Sequence, residues 1–352
     1  MNHLSISSSY SVVGKAARHF AIVWCLLLVW SVAAQVSQNQ LSLDQGSFLC
    51  QPGVINQSPG KGASITYVLN PDYSLHSINT DDRRQVSRNE RFEAKVKLPL
   101  VVRPAFKAML GLKYGLERFH FTDLESSDFP LLKRLSNSEL KVAEAAAYFV
   151  MPINDKYYTA LRMSASYNGD YSQVVNFDRR YALYRVAAVW GVKKRQDLEY
   201  GAGLMYSSRY GHSTLVPFAF YNRTFNEHWG LESTLPVSIK ARYNFNERLL
   251  MLFGTEYSSQ RYALAVPEPI SNPFLNHTEK APYVYRNASI DLTSSWYYHL
   301  RGWAWLQFKV GYSFNLASEA THISSGTTYN LHSNRKLCGM LTLFFTPPRN
   351  YR

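Results

Sequence analysis

The sequence predicts an all-β fold, an antiparallel up-and-down β-barrel that crosses a membrane, and three observations carry that expectation. Apolar side chains recur at every second residue over segments of about ten residues, the period of a strand with one apolar face. The connections between those segments alternate between short and long, as the periplasmic turns and outer loops of a transmembrane barrel do. The chain also opens with the pattern of an export signal.

Composition narrows the class first. Of 352 residues only 18% are charged while 46% are apolar, so the chain has enough apolar surface to fold and is not a disordered polyelectrolyte. Eighteen Gly and 15 Pro without period, and three Cys, exclude collagen-like and disulfide-dense scaffolds. A mean hydropathy of −0.24 with a single long apolar run excludes a bundle of membrane helices.

That run lies at the N-terminus. Lys15 and Arg18 precede an apolar stretch from Phe20 to Trp30, and Val32, Ala33 and Ala34 supply the small residues that signal peptidase requires before the polar Gln35. The stretch is about a dozen residues, short of the roughly 20 that span a bilayer as a helix. Residues 1–34 therefore read as a cleaved signal, with Cys25 inside its apolar core and leaving with it. The net charge of +13 points, in an exported chain, to anionic envelope surfaces and small anionic solutes rather than to nucleic acid. Outer-membrane lipid and the barrel-insertion machinery complete the expected partners. Cys50 and Cys338 could form one disulfide or remain two unpaired thiols.

Residues 35–62 are rich in Gln, Ser, Asn and Gly without periodicity and read as a periplasmic lead-in. A barrel is expected over 63–346, with a short tail at 347–352. The clearest alternation runs through Trp229, Leu231, Ser233, Leu235, Val237, Ile239, Ala241, Tyr243 and Phe245. Phe106 to Leu116 and Ala304 to Leu316 repeat it, and weaker versions occupy 63–69, 91–98, 157–167, 180–192, 198–207, 249–258, 285–298 and 335–345. The Ala-rich 138–150 is assigned as a strand from its neighbours. Short connections at 99–104, 152–156, 193–197, 245–248 and 299–302 alternate with long ones at 70–90, 121–137, 168–179, 208–228, 259–284 and 317–334.

Aromatics gather at strand ends: Tyr114, Phe119, Phe121, Tyr157, Tyr167, Trp190, Tyr206, Trp229, Phe245, Trp296, Tyr298 and Trp303. They suit the interfacial girdles of an outer-membrane barrel. A secreted soluble sandwich also alternates, but this many strands with bulky ends would overfill one soluble core. Parity then sets the count. Thirteen alternating segments exist if 215–224 is included, and such barrels normally have an even number. Placing 215–224 in an outer loop gives about twelve strands, within a range of ten to fourteen. Splitting the long segment at Pro236 gives fourteen instead. Twelve is preferred because the alternation passes Pro236 without changing face.

The chain resembles uncharacterised outer-membrane β-barrel proteins of the Bacteroidota, a family known by a domain of unknown function. The resemblance covers roughly 90–345. It rests on Tyr167-Asn168-Gly169-Asp170, on Gly201, Gly203, Tyr206, Gly211 and Pro217, and on Trp229-Gly230-Leu231-Glu232 leading to Leu235-Pro236. It implies outer-membrane location and brings no catalytic, cofactor or ligand residues. Phe345 stands where such barrels carry their terminal aromatic.

Motifs of chemistry are scarce. Adjacent side chains on an extended segment point to opposite faces, so His212 is badly placed to activate Ser213. The ten His show no metal-ligand spacing, and Asp81-Asp82 lacks the acidic and glycine pattern of a calcium loop. Neither an enzyme, a metal nor a cofactor is expected. The face opposite the apolar one is more informative. It carries Lys95, Lys97, Lys107, Lys113, Arg162, Lys240, Arg242 and Lys309 against Glu93, Glu117, Glu199, Glu232, Glu256 and Asp291. These are the candidate lumen residues. Either they pair to keep a narrow interior satisfied, or they tilt a pore toward anions. Two functions follow: a narrow channel or transporter for small solutes, or a plugged structural barrel acting through its outer loops.

Overall fold

The computed structural model describes residues 52–77, 83–122, 130–171, 181–209, 212–269, 278–323, 325–334 and 336–346. The signal, Cys50 and the tail after Thr346 lie outside them. The strands are β1 (Ala63–Ser77), β2 (Arg83–Arg103), β3 (Phe106–Phe121), β4 (Leu140–Pro152), β5 (Tyr157–Gly169), β6 (Ala182–Arg195), β7 (Leu198–Arg209) and β8 (His212–Thr224). They continue as β9 (Trp229–Leu235), β10 (Ser238–Asn244), β11 (Leu249–Pro269), β12 (Thr278–Arg301), β13 (Ala304–His322), β14 (Thr328–Ser333) and β15 (Lys336–Phe345).

Each strand pairs antiparallel with the next from β1 to β13, and β15 closes the ring by pairing with both β13 and β1. A closed ring leaves no edge to be satisfied in lipid, which is why a strand-built membrane protein must close. β14 lies on the line of β15. Thr321↔Thr328 and Ser313↔Lys336 belong to one register, so β14 and β15 form a single interrupted stave. The barrel therefore has fourteen staves, the last of them in two pieces.

The alternation falls as the sequence predicts. Ile65 and Tyr67 are exposed on the outer wall, whereas Ser64 and Thr66 are buried within. Exposed Trp190, Trp229, Phe245, Trp296, Tyr298 and Trp303 face outward at strand ends, where an amphipathic ring sits at headgroup level. Phe119 departs from that expectation. It is buried in the lumen, packed edge-on against Tyr285 with ring centroids 6.1 Å apart.

The count of twelve is corrected to fourteen for two physical reasons. First, residues 212–224 form a strand rather than part of an outer loop at 208–228, and 225–228 is a tight periplasmic turn. In it the Asn226 carboxamide accepts the N–H of His228 and of Trp229, and the Phe225 N–H donates to the Trp229 carbonyl at 2.9 Å. Phe245-Asn246-Glu247-Arg248 and Ile153-Asn154-Asp155-Lys156 build the same turn. An apolar residue, Asn, an acid and a base thus mark a turn three times, because the Asn side chain imitates a backbone acceptor.

Second, Trp229–Phe245 does not cross the membrane as one strand but folds back at Pro236. Thr234 pairs with Ser238, four residues on, so odd residues stay outward on both arms and the alternation runs through the turn unbroken. No polar turn residue betrays it, because the tip is made of Leu235, Pro236 and Val237, with Leu235, Val237 and Ile239 all exposed on the outer wall.

These two strands of seven residues stand between taller neighbours. Among the described residues, β8 has no partner on the β9 side over 212–218; on the β10 side of β11 the Tyr257 N–H reaches the Val237 carbonyl, and farther along Ala263 meets Gly169 of β5 and accepts the Asp170 N–H at 3.2 Å. The wall is notched there. Backbone groups at that depth cannot be left in hydrocarbon, and on β11 the end of β5 and Asp170 answer part of that edge.

Several segments expected as long loops are strand instead: β11 and β12 pair as far as Pro269↔Thr278, and β1 and β2 as far as His76↔Arg83. The outer end is closed by a feature the sequence pattern missed, helix α1 (Pro130–Asn137). At eight residues it makes barely two turns, too few for a clear periodic signal, but Leu131, Leu132 and Leu135 share one buried face. They pack on Phe119, Tyr262, Leu264, Tyr285 and Leu331. Arg134 and Asp170 lock the cap, with Nε donating to Oδ2 at 2.6 Å, and the same carboxylate accepts the Ala265 N–H at 3.1 Å.

Candidate functional site

The lumen is built by one parity of each stave, and the ladder register shows which. Ser64↔Lys95↔Lys113↔Glu144↔Ser166 runs across β1 to β5 as one inward row, and Asn222↔Glu232↔Lys240↔Gly254 runs across β8 to β11 as another. By that register Glu93, Lys95, Lys97, Lys107, Lys113, Glu117, Arg162, Glu199, Glu232, Lys240, Arg242, Glu256, Asp291 and Lys309 all lie on the inner face.

Most of the charges are shared. Glu93 takes the ammonium groups of Lys95 and Lys113 at 2.5 and 2.7 Å. Glu256 takes those of Lys240 and Lys309. Glu144 pairs with Arg162 at 2.5 Å and with Arg185 at 4.0 Å. One carboxylate held between two cations recurs three times, so each cluster keeps a net positive charge. Lys97 and Arg162 flank the Tyr148 ring at 5.3 and 5.5 Å from its centroid, a cation–π arrangement. Glu117 accepts hydrogen bonds from Tyr262 at 2.6 Å and Asn89 at 3.0 Å, under the outer cap.

Glu199 and Glu232 serve a different purpose. Of the lead-in expected at 35–62, the described part, 52–62, enters the end of the barrel where β1 begins, and these two carboxylates hold it. Glu199 accepts the Gly53 N–H at 2.8 Å and the Tyr158 hydroxyl at 2.7 Å. Glu232 accepts the Ser58 N–H at 2.8 Å and its hydroxyl at 2.6 Å, as well as Arg242 at 3.0 Å. Val54 is fully buried, and Ile55 adds backbone bonds to Gln196 and to the Thr224 hydroxyl. The turn that aims Gly53 at Glu199 has φ +105°, a region glycine enters without steric cost. Lys61 ends this strap, bonded to Gln307 and facing Lys95, Lys309, Lys240 and Glu93. Burial, then Lys95 and Lys309, push its ammonium group down to about 8.

The lumen is thus closed by an apolar cap at the outer end and a hydrogen-bonded strap at the other. Between them lies a polar cavity of about 80 Å³. Arg91, Glu144, Arg185 and Lys336 belong to this interior and were absent from the sequence reading. Arg91 and Arg185 could have been found by carrying the alternation two residues beyond Glu93 and through β6. Among the described residues no three His, Cys, Asp or Glu side chains gather as a metal site would require.

Three solved barrels are similar in fold. A Pseudomonas aeruginosa FadL homologue superposes with a TM-score of 0.40 at 8% identity, over 82% of this chain and 91% of that one. An outer-membrane channel from Pseudomonas putida F1 gives 0.36 at 9%, over 86% and 100%. The Pseudomonas putida toluene transporter TodX gives 0.32 at 10%, over 81% and 89%. No curated protein sequence matches the chain. The profile described as a domain of unknown function, DUF6268, matches residues 48–337, and with most of its length inside that match the chain belongs to this family.

Proposed function

We propose that the barrel is a gated conduit for small polar solutes, anions in preference to cations, and that the strapped arrangement is its closed state. The observation that carries this reading is the asymmetry of the two closures around a charged interior. The cap is an apolar core, whereas the strap is a short segment held mainly by hydrogen bonds to Glu199 and Glu232 and can leave without breaking the ladder. A barrel meant only to be filled has no need of clusters that each retain an unneutralised cation, since buried charge is costly.

Planar-bilayer recordings test this. The intact chain should open rarely, and deleting residues 53–60 should raise the open fraction, with a reversal potential in a salt gradient that favours the anion. Heat-modifiable migration reports folding independently. A folded, strapless barrel that passes no current at any voltage would leave the plugged structural barrel as the function.

The strap should also respond to pH. Docking depresses the Lys61 ammonium, so the docked state disfavours the charged form. The penalty is full below about 8 and disappears as pH rises toward the ordinary lysine value. Open events should therefore become rarer as pH rises from about 8 toward 10.5, and Lys61→Met should remove that dependence.

A further inference from the structure

The mid-lumen cavity contains charges that the clusters described above do not use. Glu256 on its wall is already satisfied by Lys240 and Lys309. Arg91, Lys336 and Asp291 also line it, and among the described residues none of the three has an ion-pair partner. The Arg91 Nε is buried with no hydrogen-bond partner. Lys336 Nζ lies 4.5 Å from the centroid of the Tyr73 ring. Asp291 accepts one hydrogen bond, from the Ser313 hydroxyl at 2.6 Å. Glu117, opposite Arg91 in the ladder, is occupied by Tyr262 and Asn89.

The register separates these charges by sign. Asp291↔Ser313↔Lys336 is one row across β12, β13 and β15, and Arg91 reaches the same cavity from β2, beyond Val68 and Met340. The cations stand on the β15 and β2 side and the carboxylate on the β12 side, where Gln260 of β11 and Asn287 of β12 add amides to the lining. At roughly 30 Å³ per water the cavity has room for two or three waters, or for one molecule of about five heavy atoms. Partly buried charges of opposite sign on two sides of so small a space, none held in an ion pair among the described residues, suit a ligand with the complementary pair.

We propose that this cavity is a binding site for a small zwitterion of the amino-acid type, with its carboxylate toward Arg91 and Lys336 and its ammonium toward Asp291. The site rests on the conduit reading only in that a solute must reach the cavity.

Equilibrium dialysis of the folded full-length barrel against glycine, acetate and methylammonium tests it, with the strapless chain run in parallel so that access is not limiting. Glycine should be retained most strongly. Asp291→Asn should weaken glycine about tenfold and leave acetate unchanged, while Arg91→Gln or Lys336→Met should weaken both about tenfold, the loss expected for one charge-assisted contact. Acetate bound as tightly as glycine, with no response to Asp291→Asn, would make this a plain anion site and overturn the proposal. Absence of retention in a barrel that conducts once the strap is removed would overturn the site and leave the conduit standing. Retention in a barrel that never conducts would do the reverse.

Discussion

Arg242→Met should destabilise the folded barrel by about 3–5 kcal/mol, the cost of stripping the largely covered Glu232 carboxylate of its buried cation. Arg242 is 0% exposed. Its guanidinium donates to Glu232 at 3.0 Å and to the Thr224 hydroxyl at 2.7 Å. The register sets Arg242 opposite Gly230, where a Cβ would come within 2.4 Å of Nη2, so the glycine makes room for the guanidinium. Methionine keeps the bulk and removes the charge, leaving Glu232 with only Ser58 to answer it. Glu232→Gln should cost less, and the double variant should recover much of the loss, because two neutral groups no longer need each other. Urea unfolding of the refolded protein in micelles reads all three. If Arg242→Met shifts stability by less than about 1 kcal/mol, the pair is screened by lumen water and the interior is wetter than its burial implies.

Val237→Arg should cost roughly 2–4 kcal/mol, because the β9–β10 tip lies in hydrocarbon and the charge enters lipid, whereas Ser238→Arg, facing the lumen, should cost far less. Leu235, Val237 and Ile239 are 46%, 41% and 46% exposed, and no charged residue interrupts the tip. A soluble sandwich would also suffer from Val237→Arg, so a chemical readout discriminates. Single cysteines at 235, 237 and 239, in a background lacking Cys50 and Cys338, should resist water-soluble thiol reagents in bilayers and react with a lipid-dissolved one. Labelling by the water-soluble reagent would lift the tip out of the membrane. Equal protection from both would bury it in protein and end the membrane reading.

The error at this hairpin shows where pattern reading stops. Alternation reports which face a residue occupies and is blind to a reversal of the chain when the paired residues keep the same parity, as Thr234 and Ser238 do. A turn in water announces itself through polar turn formers, but one in hydrocarbon has no reason to carry them. The neighbouring turn was within reach, because Phe225-Asn226-Glu227-His228 repeats the chemistry of Phe245-Asn246-Glu247-Arg248. Phe119 and Phe121 at the end of β3 were assigned to a girdle, since a strand-end aromatic reads the same whether it meets headgroups or a cap. Phe119 has the parity of Lys113 and Glu117, so the register already sets it inward, where α1 covers it.

What the sequence determined by itself was the barrel, its membrane setting and the inward face, because period two needs no knowledge of partners and lipid demands apolar side chains on every outward position. Which inward charges meet was decided by the tertiary structure. Glu256 finds Lys309 fifty-three residues away and Glu199 finds the Gly53 amide across 146, separations at which composition and spacing carry no signal. Closure of the ring brings them together, and the same closure leaves Arg91, Lys336 and Asp291 facing one cavity with no ion-pair partner among the described residues.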